Sequence, residues 1–245
     1  MTPPTVHLVG AGPGDPMLLT RRAARLLAGA DVVVVDRRSL DPIVALAPPT
    51  AERIYVGRAH GRPAWDTDAI ADLLADRARA ASIECGGVTG DAHGDRPIVV
   101  RLKSGDPFVC SRGGEEMAAL VARGIHVEVT PGVSAATAAP LAAGVPRGRT
   151  VTILAGNDDP VYPAVDVGAL ANPEGSLVIL VGRSRQRHLA DALLAAGLAP
   201  DTPAAVVHGA TRAGARTIRT TLEHLGDHRL PPPATVVIGP ARAHP

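Results

Sequence analysis

Two polar loops, each after a short apolar run, carry most of the residues whose types and spacing could do chemistry. Residues 10–16 read Gly-Ala-Gly-Pro-Gly-Asp-Pro. The third glycine of the dinucleotide fingerprint G-x-G-x-x-G is missing, because position 15 is an aspartate. Proline removes an amide donor, and aspartate adds negative charge where a pyrophosphate would sit. The loop therefore favours a cationic or neutral ligand over a dinucleotide.

The second loop, residues 104–112, follows an apolar run and leads into the glycines and glutamates of residues 113–116. Glycine and aspartate at a strand end allow exposed backbone groups to approach a ligand, and glutamates suit the amino end of a helix. A third polar loop begins at Asp36. A carboxylate at a strand end can accept a proton, so Asp36 is a candidate general base, with an Asx turn or helix cap as the alternative.

These loops need strands and helices to position them. Apolar runs predict strands at residues 6–9, 31–35, 54–56, 98–102 and 126–129. Helical spacing predicts helices over residues 18–27, 67–81, 113–122 and 134–143. Such alternation implies a mainly parallel sheet covered by helices, with ligands bound beyond the carboxyl ends of the strands. All three polar loops lie at such ends.

The pattern of apolar and polar residues changes after residue 146. Short strands are predicted at residues 151–154, 177–181, 204–207, 217–221 and 235–238, with a helix over residues 186–195. We therefore predict two α/β domains, residues 1–146 with a mainly parallel sheet and residues 147–245 with a mixed sheet. The ligand cleft is expected between them.

Charge and cysteine content narrow the class of protein. Lys plus Arg number 25 and Asp plus Glu 24, so no overall field favours nucleic acid or an anionic membrane. Cys85 and Cys110 match no metal spacing and suggest a reducing compartment. His224 and His228 are four apart but lack an acidic partner motif, so no metal site is expected. Without a leader or an apolar stretch of ~20 residues, we expect a cytoplasmic protein.

The chain resembles the tetrapyrrole methylases in residues 6–36, 99–116, 131–135, 144–146 and 177–239. The second loop runs from Arg-Leu-Lys through Gly-Asp-Pro-Phe to Arg-Gly-Gly-Glu-Glu and is most similar to uroporphyrinogen-III C-methyltransferases. The resemblance implies a homodimer with S-adenosylmethionine in the cleft between two α/β domains. It also implies C-methylation of uroporphyrinogen III to precorrin-2 via precorrin-1, in sirohaem or cobalamin biosynthesis, with S-adenosylhomocysteine as product.

Site residues follow from the resemblance one at a time. Asp36 matches the family's proposed catalytic base, and Arg58 falls where the family carries a lysine proposed as proton donor. A guanidinium with a pKa above about 12 is a poor proton donor, so we interpret Arg58 as a clamp for a substrate carboxylate. The positions matched to the methyl-donor site are Pro13, Ser104, Gly105, Asp106, Val109, Ser134, Ala135, Val181 and Ala210.

Donor-side residues match the family better than acceptor-side residues do. Residues 147–150, Arg-Gly-Arg-Thr, stand where the family has Thr-His-Arg, and residues 84–95 belong to an insertion. One alternative is a methylase of the same fold acting on another tetrapyrrole, RNA, a peptide or a modified histidine. Another is a non-catalytic protein that binds the donor or carries a tetrapyrrole.

Overall fold

The computed structural model describes residues 3–57, 65–84, 97–145, 148–156, 165–181, 186–228, 231 and 233–239. Backbone contacts divide the chain into two compact units, Met1–Ser134 and Ala135–Pro245. This division falls before the boundary that the sequence predicts between residues 146 and 147. The physical reason is that the helix Ala135–Ala143 packs across strands of the second unit.

The first unit contains a five-stranded parallel sheet in the order β3-β2-β4-β1-β5. Its strands are β1 (Thr5–Gly10), β2 (Ala30–Val35), β3 (Glu52–Tyr55), β4 (Ile98–Lys103) and β5 (His126–Thr130). From β1 the chain moves towards β2 and β3, and from β4 it moves the opposite way to β5. Ligands bind at such switch points in open parallel sheets. The first two polar loops follow these two central strands.

Helices cover both faces of this sheet: α1 (Arg21–Ala28), α2 (Asp41–Val44), α3 (Thr67–Glu84) and α4 (Gly113–Ala122). Leu26 and Leu27 of α1 pack in one core cluster, and residues of α3 and α4 pack in another. α1 begins later than the sequence predicts. Pro16–Leu18 forms a separate 3-10 turn, and Thr20 Oγ1 accepts a hydrogen bond from Ala23 N at 3.2 Å as the helix cap.

The second unit contains a mixed five-stranded sheet in the order β6-β7-β10-β8-β9. Its elements are α5 (Ala135–Ala143), β6 (Thr150–Ala155), β7 (Gly175–Val181), α6 (Gln186–Ala195), β8 (Pro203–His208), β9 (Arg216–Thr221) and β10 (Ala234–Ile238). Among the described strands of this sheet, β6 and β7 pair in parallel and the other three pairs are antiparallel. The prediction of a parallel first sheet and a mixed second sheet is confirmed. No helix in the described parts of the chain is both long and apolar enough to cross a membrane.

Candidate functional site

Three loops meet at the carboxyl edge of the first sheet, after β1, β4 and β5. Gly12 N donates to Gly105 O at 3.1 Å, and Gly105 N donates to Gly12 O at 2.9 Å. A Cβ on Gly132 would lie 2.2 Å from the Gly105 carbonyl oxygen and 2.9 Å from Gly10 Cα. Only glycine permits such an approach. The sequence predicts that the glycine and aspartate of the second loop let backbone approach a ligand; in the structure Gly105 also brings the loops against one another.

Asp106 ties the loop after β4 to the loop after β5. Its Oδ2 accepts a hydrogen bond from Gly132 N at 3.2 Å, and its Oδ1 accepts one from Phe108 N at 2.9 Å. Each carboxylate oxygen can accept a further bond, and the side chain remains partly exposed. Asp106 therefore shapes the contacts among Gly10, Gly12, Gly105 and Gly132, which we call the glycine junction, and it retains acceptor capacity towards a ligand.

The other residues of the first unit that match the donor site differ in exposure. Pro13 is buried in the first loop, next to the glycine that bonds the second loop. Ser104 and Val109 are half-buried on either side of Asp106, and Ser134 is half-buried where the unit ends. The structure therefore brings the matched residues of the first two loops to one edge of the sheet.

The second unit holds the other three positions matched to the donor site. Ala135 is the first residue of α5. Val181 ends β7 and pairs with Ala234, which also pairs with His208 at the end of β8. Ala210 follows two residues later and is buried. Val181 and Ala210 therefore lie at the same edge of the second sheet.

Asp36 directly follows β2 and so lies at the carboxyl edge of the first sheet. Gly57, after β3, packs so closely against it that a Cβ there would lie 1.6 Å from the Asp36 carbonyl oxygen. The Asp36 side chain is 24% exposed. Arg58, predicted as the carboxylate clamp, lies outside the described residues.

Asp36 belongs to a charge cluster of two cations and two anions, namely Asp36, Arg101, Lys103 and Glu116. Arg101 Nη2 donates to Asp36 Oδ1 at 2.5 Å, and its Nε and Nη2 donate to the two Glu116 oxygens at 2.8 and 2.9 Å. Lys103 Nζ lies 2.5 Å from Glu116 Oε1. Arg101, Lys103 and Glu116 are 0%, 4% and 4% exposed. The two positive and two negative charges of the cluster are in direct contact, so each buried charge has a partner of opposite sign, as burial requires.

The charge cluster shifts the ionisation of its members. Burial alone would raise the pKa of Asp36, but the charges of Arg101 and Lys103 and the hydrogen bond from Arg101 hold it below the ordinary value of 3.8. Burial and the adjacent charge of Arg101 lower the pKa of Lys103. Asp36 is therefore a carboxylate at neutral pH.

The charge cluster is not among the features predicted above, although Arg101, Lys103 and Glu116 all lie in the segment from Arg-Leu-Lys to Glu-Glu. Arg101 and Lys103 are two apart on β4, so they point to the same face of a central parallel strand. Such a strand is buried on both faces, and a charge there requires a partner. That rule signals a buried acid nearby, and Glu116, on the helix that follows, supplies it.

The histidine pair considered for a metal has other contacts. His224 Nδ1 lies 3.3 Å from Asp227 Oδ2, and His228 Nε2 lies 3.2 Å from Thr220 Oγ1. Within the described ranges, no three His, Cys, Asp or Glu side chains are grouped as a metal site would require.

Comparison with known proteins identifies the family. The sequence profile of the Tetrapyrrole (Corrin/Porphyrin) Methylases matches residues 5–226. The chain belongs to this family. An S-adenosyl-L-methionine-dependent uroporphyrinogen III methyltransferase from Methanosarcina barkeri is 38% identical to this tetrapyrrole methylase, over 96% of the chain and 90% of the relative. A siroheme synthase from Chromobacterium violaceum is 39% identical over 96% of the chain and 48% of the synthase. The chain thus spans about half the length of the siroheme synthases that it matches.

Solved structures agree with this membership. A uroporphyrin-III C-methyltransferase from Thermus thermophilus, complexed with S-adenosylhomocysteine, is 35% identical with a TM-score of 0.76, covering 97% of this tetrapyrrole methylase and 92% of that chain. A cobalt precorrin-4 methyltransferase is 25% identical with a TM-score of 0.80, covering 97% and 95%. The family predicted from the two loops is confirmed.

Proposed function

We propose that this tetrapyrrole methylase transfers a methyl group from S-adenosylmethionine to a ring carbon of uroporphyrinogen III, giving precorrin-1 and then precorrin-2. The proposal rests on the carboxyl edge of the first sheet. There the matched donor-site loops close on one another, and Asp36 ends the neighbouring strand as a carboxylate. The named activities of the Methanosarcina and Thermus relatives support the same reaction.

The residues at this edge fit the methyl donor. S-adenosylmethionine carries an ammonium group and ribose hydroxyls, and a carboxylate readily accepts hydrogen bonds from both. The Asp106 carboxylate is partly exposed and can accept further hydrogen bonds. Ser104 and Asp106 are the first residues we expect to hold the donor.

The reaction needs alignment, exclusion of water and one proton acceptor. When bound, S-adenosylmethionine supplies an electrophilic methyl group on a sulfonium. Asp36 Oδ1 is held by Arg101, whereas Oδ2 accepts no hydrogen bond from the described residues. We assign Oδ2 the role of accepting the proton that the methylated ring must lose.

Carboxylates of the acceptor require cations at the same edge. Arg37 and Arg38 directly follow Asp36 and are exposed. The Arg38 guanidinium lies 4.5 Å from the centroid of the Tyr55 ring, and the Tyr55 hydroxyl donates to Asp41 Oδ1 at 2.6 Å. This stacking restricts the Arg38 side chain before a carboxylate arrives. Arg58 remains our proposed carboxylate clamp.

The resemblance also leads us to propose a homodimer located in the cytoplasm and acting on a small-molecule substrate. Sedimentation equilibrium tests the assembly directly. A mass of twice 25.0 kDa is the expected result. A monomer at micromolar concentration, with full turnover, would contradict the dimer and leave the chemistry intact.

The decisive experiment combines the purified protein, S-adenosylmethionine and enzymatically made uroporphyrinogen III, and counts methyl additions by mass. We expect one and then two additions. Donor binding measured by calorimetry without any transfer would refute the acceptor and leave a donor-binding protein. Transfer to a later corrinoid precursor, with none to uroporphyrinogen III, would instead favour an activity nearer the precorrin-4 enzyme.

A further inference from the structure

We infer that Arg101 is a positioning residue for the reaction, fixing the Asp36 carboxylate at the end of β2 in its ionised form through a guanidinium held by Glu116. This inference rests on the proposed function of Asp36 as proton acceptor. Arg101 reaches Asp36 from β4, the strand that pairs with β2.

The guanidinium has two kinds of partner with separate roles. Its Nε and Nη2 make a two-pronged contact with Glu116, which sets the plane of the group. The same Nη2 then donates to Asp36 Oδ1 at 2.5 Å. Nη1 lies 3.4 Å from the carbonyl oxygens of Val34 and Leu102, on the two paired strands. The direction of the bond to Asp36 is therefore determined by the backbone of the sheet and by α4.

Because the pair is buried, the contact with Arg101 strongly affects the ionisation of Asp36. Arg101 is fully buried and Asp36 is mostly buried, so water provides little screening of the pair. Among the described residues, the charged groups facing Asp36 are Arg101 and Lys103 from β4 and Arg37 from its own loop, and Glu116 of α4 lies behind Arg101. Of these groups, Arg101 is the one that bonds the Asp36 carboxylate. Without Arg101, the described cations that oppose the effect of burial on Asp36 would be Lys103 and Arg37, which make no hydrogen bond to it.

The test uses Arg101→Met and Arg101→Lys, with Arg123→Met as the control. Arg123 also contacts two carboxylates, those of Asp68 and Asp72. These contacts join the end of α4 to α3 and do not involve Asp36. Carbon-13 NMR of labelled aspartate carboxyls, assigned with Asp36→Asn, gives the pKa of Asp36 directly. Methyl transfer gives kcat and the donor KM as functions of pH.

Arg101→Met should raise the pKa of Asp36 by at least about one pH unit, and the acid limb of kcat should move with it. Arg101→Lys keeps a charge but has no fork to hold both carboxylates. In Arg101→Lys we expect the pKa of Asp36 to stay close to its value in the unsubstituted protein. We expect kcat to be roughly tenfold or more below that of the unsubstituted protein, with an unchanged donor KM. Arg123→Met should leave the acid limb where it is.

An unchanged Asp36 pKa in Arg101→Met would overturn the inference, as would equal losses of kcat in Arg101→Met and Arg123→Met without any shift of the acid limb. If Arg101→Met does not fold, Arg101→Lys decides: full kcat overturns the inference, and reduced kcat with intact donor KM supports it.

Failure of the proposed function looks different. If Asp36→Asn keeps full turnover, or the unsubstituted protein transfers no methyl group, the assigned role of Asp36 fails. The carboxyl titration then still reports whether Arg101 controls the ionisation of Asp36.

Discussion

A carboxylate that accepts a proton from a reacting ring must be ionised beforehand and have an oxygen free to receive it. Among the described residues Asp36 fits both conditions. Only its Oδ1 accepts a hydrogen bond there, from Arg101, and the charges of Arg101 and Lys103 lower its pKa against the effect of burial. A low pKa makes Asp36 a weak base. A weak base is sufficient where the methylated ring is cationic and releases its proton readily.

Replacing Asp36 by Asn tests its role most directly. Asparagine keeps the shape of the side chain and can still accept a hydrogen bond from Arg101, but it cannot take up a proton at neutral pH. We expect kcat to fall about 10²- to 10⁴-fold, with the dissociation constant for S-adenosylmethionine unchanged by calorimetry. Turnover within threefold of the unsubstituted protein would refute the assignment.

The same pairing predicts how stability depends on pH. Because the pKa of Asp36 is lower in the folded state than its ordinary value of 3.8, the unfolded state binds the proton first as pH falls. The contribution to stability is complete above the unfolded pKa and is lost as pH falls through the folded pKa. The difference in unfolding free energy between the unsubstituted protein and Asp36→Asn, from urea titrations, should therefore shrink below about pH 4. A difference that grows with acid would contradict this.

For individual residues, the sequence predicts the position of Asp36 but not its contact with Arg101. Asp36 is predictable because it ends an apolar run and matches a family position. Its partner Arg101 is 65 residues away, and which cation meets which acid depends on strand order. No local pattern encodes the placement of β4 beside β2, so the contact between Asp36 and Arg101 appears only once the sheet is assembled.

At the scale of elements, the glycine junction constrains how β1, β4 and β5 end. Gly132→Ala would place a methyl group 2.2 Å from the Gly105 carbonyl oxygen, where backbone must move. We expect a loss of roughly 1–3 kcal/mol in unfolding free energy and weaker donor binding. The control is Gly114→Ala on α4, where nothing lies within 4 Å of the added Cβ.

Because alanine favours a helix over glycine by about 0.5–1 kcal/mol, the control should be neutral or slightly stabilising. Urea unfolding and calorimetry measure both effects. Equal behaviour of Gly132→Ala and Gly114→Ala would contradict the close packing of the three loops.

The strands and long helices themselves follow from the sequence. Parallel strands buried on both faces need continuous apolar runs, and the valines of β2 and β4 supply them. The start of α1 is less predictable, because apolar spacing extends through the 3-10 turn before it. The division between units is also hard to predict, because α5 is equally apolar whichever sheet it covers.

At the scale of the whole molecule, each unit carries positions matched to the methyl donor. Pro13 and residues 104–106 belong to the first unit, and Ala135, Val181 and Ala210 belong to the second. A ligand that binds the folded state and not the unfolded state stabilises the folded state. Donor binding is therefore expected to raise the stability of the folded chain.

Thermal unfolding with S-adenosylhomocysteine tests that expectation. At a hundredfold excess over its Kd, a ligand of the folded state adds about 2.7 kcal/mol, which corresponds to a rise in Tm of roughly 5–10 °C for a chain of this size. NAD+ should cause no rise, because the first loop has Asp15 where a dinucleotide site needs its third glycine. Asp36→Asn should retain the full rise, since we assign Asp36 to the acceptor side. A rise with NAD+, or none with S-adenosylhomocysteine, would contradict the donor assignment.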